Sequence, residues 1–119
     1  MNVSILIGRT TYQPELKTTN SGKSVVNFTL AVKRPFANDE TDFIDFVAWN
    51  KQAENFCKYV NKGDILGVKG HIEKRNYTDK NNEKRYKFEV VVDSFNLLPQ
   101  GNKQEPQEEQ IDDNGDLEF

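Results

Sequence analysis

Val3, Ile5 and Ile7 alternate with Ser4, Leu6 and Gly8, and Val26, Phe28, Leu30 and Val32 alternate with Asn27, Thr29, Ala31 and Lys33. A period of two marks a strand whose two faces meet different surroundings, so both stretches are predicted strands. The run DFIDFVAW, Asp42 to Trp49, is a third. The period then changes: Ala53, Phe56, Cys57 and Val60 stand at i, i+3, i+4 and i+7. That spacing predicts one helix of about three turns, with Asn50 as its N-cap and Gly63 ending the connection. DILGVKGHIEKR follows as a strand softened by Gly67 and Gly70, which suit a bulge or the sharp coiling of a small barrel. After the polar turn DKNNE, the run RYKFEVVVDSFNLL closes the set.

The order is three strands, one helix and two strands. In about 100 residues this fits an all-β fold with one helix, the five-stranded Greek-key barrel known as the OB-fold. Closure of the barrel is an inference, and a split α+β sheet would give a similar string. From Pro99 onward the apolar pattern stops. QGNKQEPQEEQ holds no aliphatic residue and offers too little apolar surface to offset the entropy of ordering it. The expected organisation is a domain over residues 1–99, a disordered linker over 100–111 and an acidic tip, DDNGDLEF, over 112–119. A linker and tip of ~20 residues reach roughly 25 Å, so the tip is expected to stay near its own domain.

Composition sharpens this picture in two ways. The 119 residues leave room for one domain and a tail. The single cysteine, Cys57, cannot form an internal bridge; the start Met1-Asn2-Val3-Ser4 lacks the features of a signal peptide, and the apolar runs are strand-length. A reducing cytoplasmic setting and no membrane partner are expected. Net charge is −3, but residues 1–99 carry 15 Lys/Arg against 12 Asp/Glu, giving +3, and residues 100–119 carry one Lys against seven acids, giving −6. A mildly basic domain followed by an acidic tail points toward nucleic acid or a competing intramolecular partner, though plain solvated surfaces can look the same.

Catalytic chemistry finds little to stand on. His71 is the sole histidine, no Ser or Cys motif supplies a nucleophile and base, and no phosphate-cradling glycine pattern occurs. Cys57 and His71 are an isolated pair, read as a core thiol and a surface ring rather than zinc ligands. Asp39, Glu40, Asp42 and Asp45 could in principle hold a divalent metal, but a solvated loop and strand edge is the simpler reading. No enzyme activity, cofactor or metal is expected.

The aromatics carry the sharper signal. Alternation in DFIDFVAW puts Ile44, Phe46 and Ala48 on one face and Phe43, Asp45, Val47 and Trp49 on the other. If the first set fills the barrel, Phe43 and Trp49 stand outside, a costly place for large rings unless something covers them. Phe36 follows Lys33-Arg34-Pro35, Tyr77 follows Lys74-Arg75-Asn76, and Tyr86 follows Arg85. Rings interleaved with cations make a stacking platform beside phosphate counter-charges, the chemistry that tolerates any base sequence. An aromatic in a strand is more often core than ligand, and Phe28, Phe46, Phe56, Phe88 and Phe95 are read as core.

With these residues in view, the chain closely resembles the bacterial and bacteriophage single-stranded DNA-binding proteins. ILIGRTTYQPELKTT is similar to the family's opening strand, SVVNFTLAV to its second, and DFIDFVAWNKQAENFCKYVNKGDILGVKGHIEKRNY to its third strand, W-x-K-x-A-E helix, KG turn and G-x-[LI]-x-x-R-x-[WY] strand. One departure is Val3-Ser4, where members often carry a basic residue. The resemblance implies stacking aromatics at Phe36, Phe43, Trp49 and Tyr77, several of which are Trp in other members, so the rings here are smaller. It implies phosphate contacts at Arg9, Lys33, Arg34, Lys51, Lys69, Lys74, Arg75 and Arg85. It also implies a homotetramer with the strand wrapped outside, and a bacterial cytoplasmic or nucleoid setting, with a phage-encoded copy left open. The tip resembles the family's DDD-[IL]-P-F ending: Asp112, Asp113, Asp116, Leu117 and Phe119 are kept, Asn114-Gly115 interrupts the acids, and Glu118 replaces proline. In the family this tip docks on replication and repair proteins, a form of terminal-carboxylate capture.

The function so implied is stoichiometric: coating and protecting single strands in replication, recombination and repair, and holding partner proteins nearby. An OB-fold interaction subunit with secondary DNA binding is the main rival, and an RNA-binding platform ranks third.

Overall fold

The computed structural model describes residues 1–37 and 39–99. The expected linker (100–111) and tip (112–119), with Asp112, Asp113, Asp116, Leu117 and Phe119, lie outside the described residues. Six strands and one helix follow in order: β1 (Ser4–Thr10), β2 (Lys17–Thr18), β3 (Ser24–Lys33), β4 (Thr41–Trp49), α1 (Asn50–Tyr59), β5 (Ile65–Thr78) and β6 (Lys84–Leu97). The two-residue β2, edging β3, is too short to leave a periodic trace in the sequence.

The other five strands close on themselves in the order β1-β5-β6-β4-β3, with β1 meeting β3 again at Arg9 and Thr10. All of these pairs are antiparallel except β4 with β6, which run parallel and touch through only Phe46 with Val90 and Val47 with Val91. This is the OB-fold barrel, and the open α+β alternative is set aside.

Inside the barrel sit Val26, Phe28, Leu30, Phe46, Ala48, Leu66, Val68, Val90 and Val92. The helix plugs one end. Ala53, Phe56 and Val60, on one face at helical spacing, are fully buried, and the Phe56 ring stacks on Phe28 with centroids 4.0 Å apart. Phe28 stacks in turn on Phe46, at 5.0 Å, and Phe56 meets Phe95 edge-on, at 5.2 Å. Each such ring withdrawn from water stabilises the fold by about 1.5–3 kcal/mol. Cys57 is half-buried against this cluster, and burial pushes its thiol pKa up.

Four expectations are corrected. Asn50 is not the N-cap: Trp49 holds that position in extended backbone with no side-chain cap bond, and Asn50 begins the helix at φ 55°, a left-handed conformation asparagine tolerates. Val47, on the outward set of β4, is buried, because paired strands β3 and β6 flank it on both sides. Phe95 is only partly buried, against the rim of the core beside Phe56. Phe88 is not core but 62% exposed. It shares the inward phase of Val90 and Val92, yet it lies where β6 has left the barrel, so no strand stands opposite its face.

That departure is the main feature of the shape. Beyond Gly70, β5 pairs only with β6, and before Val90, β6 pairs only with β5, so the pair continues as a two-stranded arm to Thr78 and Lys84. The register slips between Lys69 and Gly70. A Cβ at Gly70 would overlap the Val91 carbonyl oxygen and stand 2.9 Å from Val90 Cγ1, so only glycine lets the two backbones meet where the arm begins. Gly67 is different: the nearest atom to an added methyl is Ile7 Cγ1 at 3.9 Å. Urea denaturation should therefore show Gly70→Ala losing about 1–3 kcal/mol and Gly67→Ala changing stability by no more than about 0.5 kcal/mol. Equal effects would contradict the bulged register.

Candidate nucleic-acid interface

Strand parity decides which side chains share a face. Val47 lies beside Val91 across the parallel seam, so the outward residues of β4 (Phe43, Asp45, Val47, Trp49) continue into the outward residues of the arm (His71, Glu73, Arg75 and Tyr77 on β5; Arg85, Lys87, Glu89 and Val91 on β6). Phe43 and Trp49, six residues apart on one strand, stand about 20 Å apart along it. Phe36 lies at the apex of the loop between β3 and β4. The rings are exposed by 101% at Phe36, 68% at Phe43, 40% at Trp49 and 43% at Tyr77. Three of the four thus occupy one continuous surface, and the fourth projects from the loop beside it.

The basic residues divide into groups. Arg9, Lys33 and Lys69 lie on outward positions of β1, β3 and β5. Arg9 and Lys33 flank a groove of about 430 Å³ floored by Ile7, Gly8, Ala31 and Ile65 over the β1–β3 junction. Lys51 is exposed on the first turn of α1. Lys74 is on the reverse of the arm, its ammonium 4.4 Å from the centre of the Tyr86 ring. Arg34, Arg75 and Arg85 are each ion-paired with carboxylates: Arg34 with Asp42 and Glu40, Arg75 with Glu89 at 3.4 Å, and Arg85 with Asp79 and Glu83. A second groove, of about 390 Å³, runs past Asn76, Tyr77, Thr78, Lys84 and Arg85 at the end of the arm.

Between the rings lies a polar lattice that sequence reasoning missed. Asp45 accepts from the Thr29 hydroxyl at 2.9 Å and from Lys87 Nζ at 3.1 Å. Partial burial works to raise the Asp45 pKa, but these bonds outweigh it and hold it low. Near the root of the arm, His71 Nε2 lies 2.7 Å from Glu73 and Nδ1 3.2 Å from Asp93. Hydrogen bonds to Glu73 first and Asp93 second raise the His71 pKa. The reverse of the arm carries a further exposed apolar stripe, Ile72, Tyr86 and Phe88, with the last two rings edge-on at 5.7 Å. Only the pairing register, which the sequence does not print, could have revealed it.

Among the described residues there is no group of three or more His, Cys, Asp or Glu side chains placed to hold a metal ion, and no helix is long and apolar enough to cross a membrane. What the surface does present is exposed rings and cations, the groups that stack and that pair with charge.

Comparison with known proteins gives the chain its family. The model of the single-strand binding protein family matches residues 1–98, and the chain belongs to that family. A single-stranded DNA-binding protein of Staphylococcus aureus (strain MRSA252) is 45% identical over 113 residues, covering 92% of this chain and 72% of its own. One of Clostridium tetani is 47% identical over 108 residues, covering 87% and 74%. One of Lactiplantibacillus plantarum is 46% identical over 102 residues, covering 82% and 51%.

The His71 pairs make stability pH-dependent. A pKa raised on folding adds stability that is complete below the unfolded value of about 6.5 and is lost as pH rises through the higher folded value. Thermal melts should show Tm falling as pH rises above about 6.5, with His71→Gln removing that part of the slope. An unchanged slope in the variant would place its origin elsewhere.

Proposed function

We propose that this protein binds single-stranded DNA without regard to sequence and coats it stoichiometrically in replication, recombination and repair. The observation that carries the reading is the continuous outward surface of β4 and the arm, with Phe43, Trp49 and Tyr77 exposed along it and Phe36 beside it, on a barrel of the single-strand binding family. Bases stack on the rings, which accept any base because every base has a flat face. Arg9, Lys33, Lys51, Lys69 and Lys74 supply phosphate contacts, and Arg75 adds its charge from beside the buried Glu89 it pairs with. Each neutralised phosphate makes log K fall by roughly 0.7 per log unit of salt.

The assembled state proposed is a homotetramer in the cytoplasm. Two features support self-association. Strand β1 pairs with β3 only at Arg9 and Thr10, so Ser4 to Gly8 present an open ladder edge beside the exposed Val3, Ile5 and Ile7. The reverse of the arm adds Ile72 and Phe88, apolar surface that a free monomer would leave in water. Light scattering should give four times the 13.7 kDa chain mass, and a monomer at micromolar concentration would contradict the assembly.

The domain 1–99, linker 100–111 and tip 112–119 divide the work. Asp112, Asp113, Asp116, Leu117 and Phe119 form a hook for replication and repair proteins, the acids and the ring together matching a basic-rimmed apolar pocket. Glu118, in place of proline, leaves the free peptide less preorganised.

Trp49 reports on the central reading directly. Unstructured oligonucleotide should quench its fluorescence at low salt, and Trp49→Ala should weaken binding by about 1–3 kcal/mol, the range known for base–aromatic stacking in such proteins, with the fold retained. A variant that unfolds would make Trp49 a core residue. No quenching and no binding would overturn the function, and preference for RNA in competition would move it to the RNA-binding reading.

A further inference from the structure

Two turns, one carrying an exposed ring and one closing the strands that carry another, are built alike. In the first, Arg34 donates through Nε and Nη2 to both oxygens of Asp42 at 3.0 Å and through Nη1 to Glu40 at 2.6 Å, while its backbone N–H donates to the Glu40 carbonyl at 3.1 Å. Phe36 stands at the apex. In the second, at the end of the arm, Arg85 donates through Nε to Asp79 at 2.8 Å and through Nη2 to Glu83 at 3.3 Å. Asp79 also accepts from the amides of Asn81 and Glu83, and its own amide donates to the Glu83 carbonyl. Tyr77 pairs directly with Arg85, and Tyr86 adjoins it.

In each loop one guanidinium faces two carboxylates, so each cluster carries −1. A phosphate arriving there would have to displace those carboxylates, because the guanidinium fork is already directed at its own loop. We infer that Arg34 and Arg85 are positioning residues: forks that tie each loop to its own carboxylates and hold the neighbouring ring out for stacking, with the phosphate contacts left to other cations. The inference rests on the DNA-binding reading for its purpose but on loop geometry for its substance. The bonding also holds the Asp42 and Asp79 carboxyls below their usual range, chiefly through Arg34 and Arg85 respectively.

Lysine separates the two roles, since it keeps the charge and loses the planar fork. Oligonucleotide binding by Trp49 quenching would be followed against salt for wild type, Arg34→Lys, Arg34→Gln, Asp42→Asn and Lys33→Gln. If Arg34 is a fork, both Arg34 variants and Asp42→Asn weaken binding by about threefold to tenfold, the scale of ordering one or two side chains. Their salt slope stays that of wild type, whereas Lys33→Gln reduces the slope by roughly 0.7. Combining Arg34→Gln with Asp42→Asn then costs no more than either alone. If Arg34 instead holds phosphate, Arg34→Lys behaves as wild type, Arg34→Gln lowers the salt slope, and Asp42→Asn tightens binding by freeing the guanidinium; that pattern would overturn the inference. Backbone 15N order parameters at Phe36 and Ala37 decide the matter without DNA: they should fall in Arg34→Lys, and unchanged values would overturn the fork. Absence of binding by the wild type would remove the DNA-binding reading while leaving this second readout intact.

Discussion

Two residue pairs, Phe46 with Val90 and Val47 with Val91, hold β4 to β6, and both the core and the outer surface depend on that seam. On its inner side Phe46 joins the ring stack with Phe28 and Phe56 that fills the barrel. On its outer side it fixes the parity of two strands at once, so that the exposed side of β4 and the exposed side of the arm become one surface. A slip of one residue would turn Phe43 and Trp49 inward or send Tyr77 to the reverse of the arm. Because the seam is so short, the Thr29–Asp45–Lys87 bridge just beyond it provides a second tie between body and arm.

Charge on this surface is tempered rather than simply positive. Asp42, Asp79, Glu83 and Glu89 engage three arginines, and Asp45 engages Lys87. These pairs are mostly solvent-exposed, worth about 0–1 kcal/mol each, so they shape loops and restrain cations more than they hold the fold. The exception is Glu89, buried on the outward face of the arm and needing Arg75 to offset its desolvation. On the proposed reading, a surface of this kind would bind a strand through stacking supported by a few lysines.

Much of this was legible in the sequence. Period two in SVVNFTLAV and DFIDFVAW placed Phe28 and Phe46 inside and Phe43 and Trp49 outside, and period 3.6 at Ala53, Phe56 and Val60 placed the helical plug. The misreadings of burial share one cause: periodicity assigns a face but not what stands opposite it. Phe88 has the phase of a core residue but lies past the last barrel contact, and Val47 has the phase of a surface residue but lies between two paired strands. Lys74 sits beside Arg75 in the chain yet on the opposite side of the arm. The Arg34 and Arg85 forks were hidden because their carboxylate partners, two to eight residues away, meet them only once the turns form.

The central claim is that bases lie on the outward face of β4, the arm and the Phe36 loop. Photo-crosslinking with an oligonucleotide carrying 5-iododeoxyuridine, followed by peptide mass spectrometry, tests it most directly, because the halogenated base couples to the ring it stacks on. The expected crosslinks fall on Phe36, Phe43, Trp49 and Tyr77. Crosslinks confined to Tyr86 and Phe88, on the reverse of the arm, would contradict it.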